Sequence, residues 1–122
     1  MIRKTLLATA VALIPAAAAA QASRLWADID PDSSERSQAA ARRAYRAAQR
    51  NPALLARNNF DGGGAYGDTT LLDEFAWAAA ELYITTGEVG YAEDLASIWE
   101  DEDFRVSPIF WANTGLLADL SL

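Results

Sequence analysis

The chain has 122 residues, enough for one domain at most, and carries a formal charge of −7, from 10 Lys and Arg against 17 Asp and Glu. That balance argues against nucleic acid as a partner, because phosphate binding needs clustered cations to displace counterions. Hydrophobic residues at 52% and charged ones at 22% describe a globular chain, and the absence of Cys and His excludes disulfides, thiol chemistry, the usual zinc sites and His-based acid–base catalysis.

At the N-terminus, Arg3 and Lys4 precede an apolar run from Leu6 to Ala20, followed by Ala20-Gln21-Ala22. A basic start, an apolar core and small residues before the cut form the pattern of a secretory signal peptide over residues 1–22, with cleavage after Ala22 and a mature chain of 23–122 that is secreted or periplasmic. Pro15 and the shortness of the run argue against a stable membrane anchor. The competing reading is an Ala-rich helix buried in a larger domain.

Beyond residue 22 the pattern predicts helices joined by loops, an all-α chain of helical hairpins. Asp32 and Glu35 have capping-box spacing. From Ser34 to Gln49, Ala41, Ala44, Tyr45 and Ala48 make one side of an amphipathic helix ended by Asn51-Pro52. Arg42, Arg43, Arg46 and Arg50 lie off that side and read as a solvated face. Asn58 to Thr70, with Gly62-Gly63-Gly64, is a loop. A second helix runs from about Leu71 to Thr86 with Phe75, Ala78, Ala79, Leu82 and Tyr83 on one side and Gly87 as its stop. A third spans Val89 or Gly90 to Trp99, with Tyr91, Leu95, Ile98 and Trp99 apolar. The acidic run Glu100 to Asp103 follows, and a last helix covers about Trp111 to Leu120.

The run Tyr66-Gly67-Asp68, then Asp73-Glu74-Phe75, Trp77-Ala78-Ala79-Ala80-Glu81-Leu82-Tyr83 and Thr85-Thr86-Gly87 closely resembles the middle of the glycoside hydrolase family 9 catalytic domain, the inverting cellulases. Ala19 to Trp26, Asp30-Pro31, Ala39-Ala40-Ala41 and Asn51-Pro52-Ala53 resemble its preceding helices, and Phe110-Trp111 to Leu122 the helix after. The resemblance starts at about residue 16 and implies an (α/α)6 barrel, of which this length supplies a partial set of hairpins. The implied activity is inverting hydrolysis of β-1,4-glucosidic bonds, in which one carboxylate activates water and a second acid protonates the leaving oxygen. The family's Asp-Ala-Gly-Asp base motif, its Asn-Glu acid motif and its sugar-binding His do not occur in these residues, so no catalytic residue is assigned. Asp61 and Asp68 are spaced too widely to replace the base pair.

The resemblance further implies a structural Ca²⁺ held by the acidic pair Asp73 and Glu74 with an oxygen four residues earlier, here Thr69, or its neighbour Thr70. A further family ligand lies downstream, and Asp101 and Asp103, the carboxylates that follow here, are not taken as its replacement. Without the resemblance, Asp73 and Glu74 read as favourable charges at a helix N-terminus, and Trp77 and Tyr83 as core between helices rather than a sugar platform. Two functions compete: part of a cellulase-type glycosidase acting on a β-glucan and inactive alone, or a small exported helical binding protein that keeps the barrel segment as scaffold. The sequence leaves the oligomeric state open.

Overall fold

The structure, a computed structural model, describes residues 9–52, 71–104 and 114–122, and every described residue in regular structure is helical. The helices are α1 (Thr9–Trp26), α2 (Pro31–Arg50), α3 (Leu72–Thr86), α4 (Val89–Trp99) and α5 (Gly115–Ser121). The expected loop at 58–70, with Asp61 and Asp68, lies outside the described residues, as do positions 111–113 of the last predicted helix.

Two kinds of helix follow from two kinds of sequence. α1 and α3 are apolar around most of their circumference, so they can only be buried elements. α2 and α4 carry one apolar side and cover them. α1 packs on α2 and α3, and α3 also packs on α4 and α5. The cross-links fix the directions. Gln21 and Arg24 meet Glu81, and Arg24 also reaches Thr85, so α1 and α3 run parallel. Thr114 meets Asp73 while Ser121 meets Glu81, so α5 runs parallel to α3. Side chains also join α2 to α4 in parallel register, Arg42 to Glu88 and Tyr45 to Asp94. The result is an inner layer of α1, α3 and α5 and an outer layer of α2 and α4.

Alanine makes this packing close. Ala16, Ala17 and Ala20 of α1 and Ala76, Ala78, Ala79 and Ala80 of α3 belong to one buried cluster that also holds Leu13, Tyr45, Leu82 and Leu95. Small side chains bring helix axes toward the short end of the ordinary 8–10 Å range. Tyr45 is the largest buried side chain, with its ring edge-on to Phe75 and Tyr91 at centroid distances of 6.0 and 5.5 Å. Its hydroxyl donates to Asp94 Oδ2 at 3.0 Å, and burial together with that carboxylate pushes the phenol well above its usual range.

Helix ends follow local chemistry, with one correction. The N-cap of α2 is Asp30, not Asp32: its carboxylate accepts from the Ser33 amide at 3.0 Å and from the Ser33 hydroxyl at 2.6 Å. Pro31 decides this, since its fixed φ and missing N–H suit the first helical position and leave Asp30 to serve the donors beyond. Gly87 ends α3 in the left-handed region at φ 69°, its amide bonded to Tyr83 O. Tyr83 is 37% exposed and Trp99 44% exposed, so neither belongs to the core as the spacing suggested. Both sit near the C-terminal ends of their helices.

α1 runs without a break through Ala22, and Leu13, Ala16, Ala17 and Ala20 are fully buried. Cleavage after Ala22 would remove all four from the core.

Candidate functional site

Two polar clusters interrupt this alanine core, both on α3. The first lies at its N-terminal turn, where Asp73 and Glu74 are 2% and 3% exposed. Residues 71 to 74 place them there because Leu71 and Leu72 bury the entry to the helix, and the partial positive charge of the helix start favours carboxylates. Asp73 Oδ2 accepts from the Thr114 amide at 2.6 Å and the Thr114 hydroxyl at 3.2 Å, tying the start of α5 to the start of α3. Asp73 Oδ1 is buried and accepts no hydrogen bond among the described residues.

Of the sequence-predicted metal ligands, Asp73 and Glu74 therefore stand side by side, and Thr69 and Thr70 fall outside the described residues. Asp101 and Asp103 are exposed, and Asp101 spends one oxygen on the Asp103 amide at 2.9 Å. Among the described residues no three Asp, Glu, His or Cys side chains gather in one place. An orphaned buried carboxylate oxygen beside a second buried carboxylate suits a hard cation. Sequence reasoning missed Thr114, which lies 41 residues from Asp73, and nothing in its neighbourhood signals the contact.

The second cluster surrounds Glu81, which is fully buried at the middle of the inner layer. Gln21 Nε2 donates to its Oε1 at 2.7 Å, Trp77 Nε1 to the same oxygen at 3.2 Å, and the Ser121 hydroxyl also bonds there. Arg24 Nη2 pairs with Oε2 at 2.6 Å, while its Nη1 reaches Thr85 Oγ1 at 2.6 Å and Glu81 O at 3.2 Å. Burial alone would raise this carboxyl, but hydrogen bonds from Ser121, Arg24 and Gln21 outweigh it and hold Glu81 below its ordinary range. With both oxygens engaged by donors from three helices, Glu81 fastens α1, α3 and α5 together and is not free to exchange a proton with a substrate.

Residues 1–121 match the sequence profile of glycosyl hydrolase family 9. The chain belongs to this family. Family 9 relatives include endoglucanase C of Cellulomonas fimi, 41% identical over an alignment of 118 residues that covers 93% of this chain and 11% of that protein. A xyloglucan-specific endo-beta-1,4-glucanase of Bacteroides ovatus is 38% identical over 81% of this chain and 18% of its own length. A cellulose 1,4-beta-cellobiosidase of Acetivibrio thermocellus is 42% identical over 68% of this chain and 10% of its own. Among solved structures, a Bacteroides ovatus family 9 protein superposes with a TM-score of 0.79 at 34% identity, covering 93% of this chain and 22% of that one. A family 9 endoglucanase matches equally well, with a TM-score of 0.79 at 33% identity and 22% of its chain covered. Family 9 domains are (α/α)6 barrels, and the inner helices α1, α3 and α5 with the outer helices α2 and α4 are part of that double ring. The chain thus spans about a fifth or less of the relatives it matches.

Proposed function

We propose that this chain is part of a β-glucan-cleaving family 9 domain and that, alone, it supplies structure rather than catalysis. The observation that carries this reading is the family match across residues 1–121 combined with a fully buried carboxylate, Glu81, whose two oxygens are committed to holding helices together. Endoglucanase, cellobiosidase and xyloglucanase names among the relatives support a β-1,4-glucan as the substrate class. The base and acid motifs that family 9 hydrolysis uses are absent from these residues, and removing such groups costs orders of magnitude in rate. The purified 122-residue chain is expected to release no reducing ends from a soluble cellulose derivative above a buffer blank. Turnover abolished by Asp61→Ala or Asp68→Ala would place a working base in the 58–70 segment and overturn the reading.

Asp73 and Glu74, with Thr69, would hold a structural Ca²⁺. Asp73 Oδ1, buried and accepting no hydrogen bond among the described residues, supports this assignment, and the ion would neutralise two adjacent carboxylates at the start of α3.

The basic Arg3-Lys4 start and the apolar run after it support a place outside the cytoplasm. Removal of residues 1–22 and the α1 described above exclude one another in a single mature chain, so intact mass of the native protein decides between a start at Ser23 and a retained α1.

A further inference from the structure

We propose that the outward face of α2 is a docking strip for a carboxylate-bearing polysaccharide, a surface separate from any glucan-cleaving groove and independent of the glucanase reading. From Arg36 to Arg50 the sequence holds five Arg and no Asp or Glu, in a chain where acids outnumber bases 17 to 10. At 100° per residue, Arg36, Arg43, Arg46 and Arg50 fall within about 80° of arc and along about 21 Å of helix. All four are exposed. Arg42 lies off this arc and pairs with Glu88 on α4. Arg36 donates to Ser33 Oγ at 2.9 Å, with Asp32 and Glu35 in the turn before it. Arg43, Arg46 and Arg50 form no ion pair or hydrogen bond with any other described residue.

Like charges three and four residues apart repel along a helix. The helix dipole compensates only the last turn, where Arg50 lies. A structural role for the strip would interleave acids at those spacings, and this chain has acids in excess. Every cation described on α2 is Arg, whose planar fork matches a carboxylate with two parallel hydrogen bonds. Four guanidinium groups over about 21 Å suit a polymer with one carboxylate per sugar better than duplex nucleic acid, whose charge recurs every ~1.7 Å. The opposite side of α2 buries Ala41, Tyr45 and Ala48 against the inner layer, so the Arg side faces away from the barrel.

The test is native electrophoresis of the 122-residue chain through gels containing polygalacturonate, hydroxyethylcellulose or single-stranded DNA. Polygalacturonate alone is expected to retard the protein, and added salt to abolish the shift. Arg43→Gln, Arg46→Gln and Arg50→Gln together should weaken retention by about tenfold, and each alone by about twofold to threefold, with unchanged thermal melts. The single variants carry the test should the triple variant not fold. Unretarded migration in polygalacturonate, retention unaffected by these substitutions, or equal retardation by DNA would each overturn the proposal.

Discussion

Glu81 shows how one residue can be indispensable without being reactive. A buried carboxylate is costly unless charge and hydrogen bonds replace its lost water, and here Arg24, Gln21, Trp77 and Ser121 do so from three helices. Removing one partner leaves the charge stranded. Arg24→Ala is therefore expected to destabilise the chain by about 2 kcal/mol in urea denaturation at neutral pH, below the fully buried case because Arg24 keeps 35% of its side-chain exposure. The same site gives a pH dependence with a definite sign. Because the folded pKa is lowered from 4.5, the contribution is complete above that value and lost as pH falls below it through the folded value. Urea midpoints followed into acid should fall less steeply for Glu81→Gln, which has no carboxyl to titrate. An unchanged slope would mean that another carboxylate controls acid stability.

At the level of elements, the α3–α4 corner separates backbone conformation from packing, since a Cβ built on either Gly87 or Gly90 meets nothing within 4 Å. Gly87 sits at φ 69°, so Gly87→Ala should cost about 1 kcal/mol through backbone strain alone. Gly90 lies within α4, so Gly90→Ala should stabilise by about 0.5 kcal/mol through reduced entropy of the unfolded chain. Denaturation midpoints moving in opposite directions would verify both. α1 makes a stronger demand. It lends Leu13, Ala16, Ala17 and Ala20 to the core and Gln21 to Glu81, all within residues 1–22. A chain begun at Ser23 is expected to show no cooperative thermal transition where the full 122 residues do, as followed by helical circular dichroism. A sharp transition in the shorter chain would mean that the remaining helices repack without α1.

For the whole molecule, several large apolar side chains stay in solvent near the ends of α1 and α5. Leu25, Trp26 and Ile29 at the end of α1 and Leu120 and Leu122 at the end of α5 are exposed by 44% or more. Leu25, Trp26 and Leu120 lie on the first and last described inner helices, and Ile29 and Leu122 just beyond them. Calcium tests the integrity of the inner ring at its other end. A cation needs most of six to eight oxygens before binding offsets its lost hydration. Asp73 and Glu74 supply only part of that number, so millimolar Ca²⁺ is expected to raise the melting temperature slightly, and not at all in Asp73→Ala. A large shift that survives the substitution would place the site elsewhere.

The sequence by itself determined α2, α3 and α4, because periodicity, caps and stops act within a few residues. Tyr45 and Ala48 marked the buried side of α2, and Gly87 and Pro52 marked two ends. The Asp-Glu and Trp-Ala-Ala-Ala-Glu runs also marked the family before any packing was known. Where Asp32 stood in for Asp30, two local signals competed, and the rigid φ of Pro31 decided between them. Only the tertiary structure placed α1 in the inner layer against α2 and α3, since an alanine stretch carries no mark of which helices it packs on. The role of Glu81 was likewise invisible in one dimension. Three of its four partners come from positions 60, 57 and 40 residues away, and a carboxylate inside a helix pattern carries no mark of whether water or an arginine will receive it. Contacts at that separation depend on which helices lie parallel in the ring, and that is fixed by the sum of all the packing and by no single stretch of chain.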